Sequence, residues 1–381
     1  MASGRFLFVT WDGGGNTAPT YPLVRGLVAR GHNVAILGQP AQAEAARALG
    51  ATFALLGLPD WTPGKAFEEE RDVALPLLFG PMVGEAVLAS IARDTPDVLV
   101  VDCYLTSGLA AAERAQLPAA VLVHTLYEAF VRRIVRQWWG EALPTINTVR
   151  TRFGLPPAAS PLALLDSMQA VIVACPQEFD TAMPDLPANV RYVGAIRDTP
   201  PAAEQASPWD RTDGQPRVLV SLSTTYQHQE DVLRRVATAL AALPVQAIMT
   251  VGTVIDPGAI APAPNVALHR YLPHAALLPD CAVVVTHAGF GTVMAALAHG
   301  VPLLCLPMGR DQHENAARVA AYGAGIVLSA GAGVEEIRHA MHELLTKPGY
   351  QEAARRMAGM IARQDGRDTA MKALEALPGT I

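Results

Sequence analysis

Short apolar runs alternate with longer amphipathic stretches along nearly the whole chain. The short runs are rich in valine, isoleucine, leucine and phenylalanine and lack a polar face, which is typical of parallel strands buried on both sides. Strands are predicted in this way at 6–10, 33–37, 52–55, 98–101, 119–123, 170–173, 218–222, 246–251, 266–270, 283–286, 303–306 and 324–328. Apolar residues at helical spacing predict helices between them, including 19–30, 229–243, 275–278, 334–345, 350–362 and 368–377. This alternation predicts an α/β fold built on parallel sheets.

A proline-rich polar segment at 194–216 interrupts the alternation of strands and helices, which then starts again. Such a composition is typical of a linker between domains. At 381 residues the chain is longer than one ordinary core requires and fits two α/β domains. We therefore predict an N-terminal domain at 1–205, a C-terminal domain at 206–365 and a final helical segment at 366–381.

Two connections, 60–80 and 126–161, are longer than the others and are predicted to be irregular. Both are rich in large aromatic residues, and long connections near strand ends often carry binding residues. These side chains either form an apolar pocket for a ligand or simply pack against the helices, and the pattern leaves both interpretations open. The residues concerned are Trp61, Phe67, Tyr127, Phe130, Trp138 and Trp139.

Composition and charge exclude several classes of function. The net charge of −6 argues against a nucleic-acid partner, which would require a basic face. No apolar run reaches the length of a membrane span, and the N-terminus enters a strand directly, without the features of a signal peptide. The cysteines lie in or beside apolar runs without metal-binding spacing, so we expect the reduced thiols of a cytoplasmic protein. They are Cys103, Cys175, Cys281 and Cys305.

The stretch 283–319 contains the densest set of candidate binding residues. Gly289 and Gly291 follow the predicted strand 283–286 and leave room for a ligand to approach the backbone at the start of a helix that runs to His299. Free N–H groups and the helix dipole favour an anion at that point, most naturally a phosphate, and His287 adds a further donor. Asp311 and Gln312 offer a carboxylate and an amide, which suit the hydroxyls of a sugar. Together these features predict a site for a nucleotide sugar.

This stretch resembles the signature of family 1 glycosyltransferases, and the nearest likeness is to the bacterial type that glycosylates macrolides, enediynes and other aglycones. The resemblance implies the GT-B architecture, with two doubly wound parallel-sheet domains facing each other across a cleft. It also implies an inverting, hexosyltransferase-type reaction from a UDP- or dTDP-sugar to a small hydrophobic acceptor such as a phenol. No DxD motif lies on a strand-end loop, so neither a metal nor another cofactor is expected. The matching residues are His287-x-Gly289-x-Gly291-Thr292, then Ala295, Leu297, Gly300, Val301 and Pro302, then Asp311-Gln312-x-x-Asn315-Ala316-x-Arg318-Val319.

The resemblance implies a role for each matching residue on the donor side. The diphosphate is expected against His287, Gly289, Gly291 and Thr292, with Ser223 and Thr224 as further phosphate-binding hydroxyls. The nucleobase is expected beside Leu272, and the sugar hydroxyls beside Asp311 and Gln312. The resemblance also implies that the last helix packs back on the N-terminal domain.

The acceptor side departs from the family pattern. The family usually has a histidine on the loop after the first strand, where this chain has Asn16, and a neutral amide cannot take up a proton at pH 7. Asn16 is therefore expected either to orient the acceptor or to cap the following helix. The family's partner carboxylate matches Asp102, which is the first candidate for the catalytic base. Asp12 and His124 are the other candidates, with His124 last because a lone histidine is more often part of a core.

Three other functions compete with glycosyl transfer. Gly13, Gly15 and Ala18 satisfy a GxGxxA pattern for NAD(P), but the second strand ends at Gln39 without the acid that would hold the ribose. The missing histidine keeps open a non-catalytic auxiliary protein that binds nucleotide sugars. A sugar-nucleotide epimerase would share the fold, and the pattern around Asp311 speaks against it. The sequence carries no signal for an oligomeric state.

Overall fold

The computed structural model describes residues 3–62, 65–66, 69–197, 209, 214–223, 225–252, 255–261 and 263–377. These residues form two compact units. Unit 1 contains the described residues up to 197, except 65 and 66, together with those from 364 onward. Unit 2 contains residues 65 and 66 and the described residues from 209 to 363. The boundary predicted at 205/206 lies outside the described residues.

Unit 1 is built on a seven-stranded parallel sheet in the order β3-β2-β1-β4-β5-β6-β7. Its strands are β1 Arg5–Val9, β2 Asn33–Gly38, β3 Thr52–Leu55, β4 Val98–Asp102, β5 Ala119–Val123, β6 Ala170–Val173 and β7 Val190–Tyr192. Strands β2 and β3 lie on one side of β1, and the next strand along the chain, β4, lies on its other side. The strand order therefore reverses between β1 and β4, and ligands of doubly wound sheets bind at such a point.

The helices of unit 1 include one long helical run where an irregular connection was predicted. Helices are α1 Thr17–Ala29, α2 Ala43–Ala48, α3 Arg71–Phe79, α4 Met82–Arg93, α5 Thr106–Ala115, α6 Tyr127–Ala129, the π-helix Phe130–Trp138, α7 Trp139–Arg152 and α8 Ala163–Asp166, with a 3-10 turn at Pro40–Gln42. The prediction of an irregular connection at 126–161 is therefore wrong over most of its length. Val131, Val135 and Trp139 are buried at intervals of four residues, so a helical pattern was present in this part of the sequence.

Unit 2 is built on a six-stranded parallel sheet in the order β10-β9-β8-β11-β12-β13. Its strands are β8 Arg217–Ser221, β9 Gln246–Thr250, β10 Val266–His269, β11 Val283–Thr286, β12 Leu303–Cys305 and β13 Gly325–Val327. Its helices are α9 Glu230–Ala241, α10 His274–Leu277, α11 Phe290–Ala298, α12 Gln312–Ala321, α13 Val334–Thr346 and α14 Pro348–Ala362, with 3-10 turns at Pro257–Ala259 and Leu278–Asp280. The strand order reverses between β8 and β11, so unit 2 also has a switch point.

The last helix, α15 Gly366–Glu375, belongs to unit 1, although the residues before it belong to unit 2. Its buried residues Ala370, Met371 and Leu374 join the core cluster that also contains Leu23 and Leu27 of α1. Burial of this apolar face ties the C-terminal part of the chain to the first sheet.

The predicted α/β fold is confirmed, and each predicted strand is present with ends that differ by at most one residue. The strand β7 was missed, because its three residues include an exposed arginine and form no apolar run. Over the described part of the chain, no single helix has the length and apolar character to cross a membrane. Only the pair 72–79 and 82–93, bent by 52°, would meet that criterion together.

Candidate functional site

The predicted donor-side residues follow three neighbouring strands of unit 2. Ser223 comes after β8, His287 after β11 and Asp311 after β12. These strands are adjacent and parallel, with Thr286 of β11 paired with Ser221 on one side and with Cys305 on the other. Their carboxyl ends lie at one edge of the sheet, so the three loops are brought together at the switch point.

The first turn of α11 forms a backbone cradle, defined here as residues 289–292. Gly289 is the N-cap, and the first bond within the helix runs from the N–H of Val293 to the carbonyl of Gly289, at 3.0 Å. The N–H groups of a first turn have no partner within their own helix. Gly291 and Thr292 in that turn are partly exposed. The cradle therefore presents backbone donors and the positive end of a helix dipole, which suits a phosphate.

The imidazole of His287 lies directly against Gly289. A Cβ atom at residue 289 would lie 2.5 Å from His287 Nε2, so this position has space only for glycine. Burial lowers the pKa of His287 to about 4, with Asp311 opposing the shift and Arg310 adding to it. The ring is therefore neutral at pH 7 and can donate one N–H to a ligand.

A chain of hydrogen bonds holds the loop between β11 and α11 in place. Ala288 has a left-handed backbone with φ of 65°, a conformation that costs energy in a residue other than glycine. Its N–H donates to Thr286 Oγ1 at 3.2 Å, and its carbonyl accepts from Asn315 Nδ2 at 3.0 Å. Asn315 also donates to Asp311 Oδ2 at 3.0 Å, so the cradle loop and the loop of Asp311 are linked.

The side chains of Asp311 and Gln312 differ in the hydrogen bonds that they already make within the protein. Asp311 occupies the N-cap position of α12, but its side chain makes no capping bond to the helix. Gln312 is 2% exposed, and its Oε1 accepts from the N–H groups of Met308 and Gly309 at 2.8 and 3.1 Å. Its Nε2 donates to Gln227 at 2.8 Å. In this structure the Gln312 amide holds its loop in shape.

The loop after β8 adds residues that the sequence did not indicate. The hydroxyl of Ser223, a residue that is 6% exposed, bonds to Thr225 and Gln227. Thr224, the other predicted hydroxyl, lies outside the described residues. Arg310 donates to Thr225 at 3.1 Å, which places a guanidinium at this edge of the sheet. A basic residue directly before Asp311 was the available signal for Arg310.

The predicted nucleobase position lies two strands from β8. Leu272 is half-buried in the loop between β10 and α10, and its neighbour Tyr271 is 74% exposed. An exposed aromatic ring of this kind is suited to stacking on a base. His274 follows, and its Nε2 lies 3.0 Å from the hydroxyl of Ser221. Burial lowers the pKa of His274 to about 4, so it is a neutral hydrogen-bonding group at the end of β8.

In unit 1, Asn16 and Asp102 meet at the switch point between β1 and β4. Asn16 Nδ2 donates to Asp102 Oδ2 at 2.9 Å and to the carbonyl of Trp11 at 2.8 Å, while its Oδ1 accepts from the N–H of Gly13 at 3.0 Å. Asn16 makes no capping bond to α1, so the predicted capping alternative is wrong. Its amide is instead bonded to Asp102 and to the loop after β1, because the loop turns the side chain back toward the strand end.

His124 lies beside the same carboxylate, with Nε2 3.4 Å from Asp102 Oδ2. It follows β5, which pairs with β4 in the sheet. Burial raises the pKa of Asp102, but the charge of His124 and the bonds from Asn16 and from the N–H of Tyr104 outweigh this and lower it. Three of the four predicted catalytic residues, Asn16, Asp102 and His124, therefore lie close together. With Cys103 they are called the acceptor-side cluster below.

The fourth candidate, Asp12, lies on the loop after β1 and is partly exposed. Its N–H donates to Gln39 at 2.8 Å, and its carbonyl accepts from the indole of Trp61. Burial and the charge of Asp60 raise the pKa of its carboxyl group. Asp12 has no described contact with Asp102 or His124.

Aromatic rings of unit 1 divide into core and partly exposed sets. Tyr127, Phe130 and Trp139 are each 1% exposed, so for these three the packing interpretation holds. Phe67 lies outside the described residues, and Trp138 is 42% exposed.

Trp11 contacts both Trp61 and Tyr104 edge-on, with ring centroids 5.9 and 6.3 Å apart. The ring of Tyr104 lies 5.5 Å from the ring of His124. The partly exposed rings of Trp61 and Tyr104 thus form an apolar rim near His124.

Three side chains of the acceptor-side cluster lie close enough together to ligate one metal ion. One atom each of Asp102, Cys103 and His124 lies within 4.8 Å of the other two. Burial raises the pKa of Cys103, which keeps the sulfur protonated near neutral pH, and both oxygens of Asp102 already accept hydrogen bonds. This arrangement suits proton transfer better than metal binding.

A cavity of about 640 Å³ lies in unit 2 beside the donor-side loops. Gln227, His228, Arg235, Met308 and His313 are among its lining residues. None of the described residues predicted to bind the donor lines it. It touches the donor-side loops through Gln227 and Met308 and does not contain the cradle.

Known proteins resemble this chain in sequence and in fold. Residues 234–377 match the family described as erythromycin biosynthesis protein CIII-like, C-terminal domain. The 4'-demethylrebeccamycin synthase of Lentzea aerocolonigenes is 33% identical over 237 residues, which cover 61% of this chain and 56% of that protein. TDP-daunosamine transferase DnrS of Streptomyces peucetius is 27% identical over 417 residues, covering 93% of each chain. The solved glycotransferase of kitacinnamycin is 23% identical with a TM-score of 0.84, covering 99% of this chain and 100% of that one.

The chain spans about half the length of several curated relatives that it matches, including the rebeccamycin synthase. The chain therefore resembles the EryCIII-like family over residues 234–377, and it has the GT-B fold of the bacterial natural-product glycosyltransferases that are similar to it.

Proposed function

We propose that this protein transfers a sugar from a UDP- or dTDP-sugar to a small hydrophobic acceptor, with inversion at the anomeric carbon. The observation that carries the proposal is the cradle at residues 289–292, packed against His287 at the switch point of unit 2. A helix N-terminus, a neutral imidazole and a nearby guanidinium form an anion site. A nucleoside diphosphate fits this combination of donors.

The chemistry that these groups support is departure of the diphosphate. As the acceptor oxygen attacks the anomeric carbon, the bond from that carbon to the phosphate oxygen breaks and negative charge grows on the phosphate. Donors already fixed in place stabilise such charge without reorganisation, and this is often the largest part of catalysis. His287 and Arg310 supply the side-chain part, and the first turn of α11 supplies the backbone part. Attack opposite the leaving group inverts the configuration.

Unit 1 supports the acceptor side of the proposal. The acceptor-side cluster lies at its switch point, and the rings of Trp61 and Tyr104 are partly exposed near it. Aromatic surface with few polar groups favours a flat apolar acceptor such as a phenol. The name of DnrS, a TDP-daunosamine transferase, supports a thymidine diphosphate donor as the first to test. The four free cysteines fit a reducing compartment, so a cytoplasmic location is part of the proposal.

The direct test incubates the protein with UDP- and dTDP-sugars and a panel of phenols and macrolide alcohols. Release of free nucleoside diphosphate only when acceptor is present, together with a product of inverted anomeric configuration by NMR, is the expected result. EDTA should leave the rate unchanged, because the cradle supplies its own positive charge. A product of retained configuration would contradict the displacement mechanism.

Two other outcomes would overturn the transferase proposal. Tight binding of the nucleotide sugar without turnover across the panel would indicate an auxiliary, non-catalytic protein. Conversion of the donor sugar into its epimer without any acceptor would indicate an epimerase.

A further inference from the structure

The carboxylate of Asp102 is poorly placed to take a proton from an acceptor by itself. It is 4% exposed, and Oδ1 accepts from the N–H of Tyr104 at 3.0 Å. Oδ2 accepts from Asn16 at 2.9 Å and faces His124 at 3.4 Å. Each oxygen therefore already has a neighbour inside the protein. A base must come within hydrogen-bond reach of the proton that it removes.

Asn16 cannot fill that role either. Asn16 is 2% exposed, and both ends of its amide make hydrogen bonds within unit 1. Its Nδ2 is shared among Asp102, Trp11 and Thr10, and its Oδ1 is taken by the N–H of Gly13. An amide also lacks a basic nitrogen. The residue therefore fixes the position of the Asp102 carboxylate.

His124 is the remaining basic group of the cluster. Its Nε2 is enclosed and has no well-aligned hydrogen bond to the described residues, although it lies next to Asp102 Oδ2. The two nitrogens of an imidazole point in different directions, so Nδ1 is directed away from the carboxylate. The side chain is 11% exposed, and its ring lies beside the partly exposed ring of Tyr104. With Nε2 facing Asp102 and Cys103 as a further neighbour of the ring, Nδ1 is the nitrogen of His124 that we assign to the acceptor.

We propose that His124 Nδ1 is the catalytic base that removes the acceptor's proton, with Asp102 as its positioning residue and Asn16 as the support for Asp102. The inference rests on the proposed glycosyl transfer. The acceptor's O–H proton passes to Nδ1 while its oxygen forms the bond to the anomeric carbon. The electron pair of the broken bond leaves on the nucleoside diphosphate. His124 acts from the end of β5, on the other side of Asp102 from the loop after β1.

The charges around His124 set the pH at which it can act. Burial lowers its pKa, but the neighbouring Cys103 and Asp102 outweigh this and raise it well above 6.5. The Cys103 thiol is itself kept neutral by burial, so Asp102 is the charge that matters near neutral pH. Among the described residues, Tyr104 is a further titratable group beside the ring. A base works only in its neutral form, so the rate should rise with pH through a limb above 6.5.

The first experiment compares His124→Gln with the wild type, and His339→Gln serves as a matched control because that side chain is 84% exposed in unit 2. With an alkyl alcohol or an ordinary phenol as acceptor, His124→Gln should lower kcat by ~100- to 10,000-fold and leave the affinity for dTDP unchanged. His339→Gln should match the wild type. Unchanged kcat in His124→Gln would overturn the inference alone, whereas no transfer by the wild type with any acceptor would overturn the proposed function and this inference together.

Two further measurements separate a base from a structural residue. An acceptor that is already ionised at the assay pH, such as a nitrophenol, needs no base, so the loss in His124→Gln should shrink to less than about tenfold. An equal loss with ionised and neutral acceptors would show that His124 only shapes the pocket. Asp102→Asn should move the pH limb of the remaining activity toward acid, because the charge that raises the pKa of His124 is removed. A limb that stays in place in Asp102→Asn, or a larger loss in Asp12→Asn than in His124→Gln, would also refute the assignment.

Discussion

Gly289 shows how one residue can be fixed by its neighbour rather than by its backbone. Its φ of −60° is open to any residue, so conformational strain does not explain the glycine. A Cβ atom there would lie 2.5 and 2.7 Å from two atoms of the His287 ring, and real contacts of this kind are never so short. The ring in turn lies beside the backbone donors of the cradle. The glycine therefore lets the imidazole approach the phosphate position that we propose.

Replacing Gly289 with alanine should disrupt this arrangement. Either His287 must rotate out of place or the first turn of α11 must shift, and both changes remove donors from the anion. We expect Gly289→Ala to weaken dTDP binding by at least tenfold in calorimetry, at a loss of ~1.4 kcal/mol per factor of ten. Gly359→Ala is the matched control, because residue 359 lies in α14 and a Cβ there meets nothing within 4 Å. Equal affinities for the two variants would contradict the cradle.

His287 should change its protonation when the diphosphate binds. Burial lowers its pKa to about 4 in the free protein, so the ring is neutral at pH 7. A diphosphate in contact favours the charged ring, and we expect the pKa of His287 to rise on binding. The affinity for dTDP should therefore increase as the pH is lowered from 7 to 5, and His287→Gln should remove this dependence. NMR titration of the ring in free and bound protein measures the shift, and identical titration curves would contradict it.

At the scale of elements, α15 is part of the core of unit 1. Leu374 is fully buried there with Leu23 and Leu27 of α1. Glu375 adds two bonds from Arg30, at 2.7 and 2.8 Å, and one contact with His32 at 3.1 Å. Since apolar burial contributes most of the stability of such a helix, the helix is expected to form only when it is packed on α1.

Truncating Leu374 tests this role. Leu374→Ala should lower the free energy of unfolding of unit 1 by about 2–5 kcal/mol, because the cavity adds to the lost burial. Urea denaturation followed by hydrogen exchange of the sheet of unit 1 measures the effect. Leu55→Ala is the matched control, since Leu55 in β3 is 60% exposed and should cost little. A similar small loss for both variants would show that α15 is not part of the core.

The elements were largely readable from the sequence, whereas the side-chain network was not. Strands such as β4 and β11 are short apolar runs with no competing pattern, so their positions follow from local physics. The adjacency of β4 and β5, which brings His124 to Asp102, is a tertiary property that leaves no mark on either run. The helical run at 130–138 was missed although Val131 and Val135 recur at a helical spacing, because its large aromatic residues also fitted an irregular binding loop. The bonds of Gln312 and Arg310 depend on loop conformations, which composition does not determine.

At the scale of the whole molecule, the two units have the same design and opposite electrostatics at their switch points. Unit 1 pairs a buried carboxylate with a histidine, and His124 has a raised pKa. In unit 2, His274 and His287 are partly buried, and Asp311 does not offset the effect of burial on His287, so both have a pKa of about 4. Acid should therefore affect the histidines of the two units in opposite ways.

Unit 2 is expected to lose stability on mild acidification. In the unfolded chain His274 and His287 take up protons near pH 6.5, whereas in the folded state they do so only near pH 4. Between these values the unfolded state binds more protons, so the free energy of unfolding falls as the pH falls from about 6.5 to 4, by up to ~1.4 kcal/mol per pH unit for each ring. His274→Asn should reduce that slope, and dTDP should restore stability by binding the folded unit. Hydrogen exchange in β8 and β11, compared with that in β1 and β4 at pH 7 and pH 5, measures the difference. If the free energy of unfolding depends on pH equally in His274→Asn and in the wild type, these rings do not control the acid response.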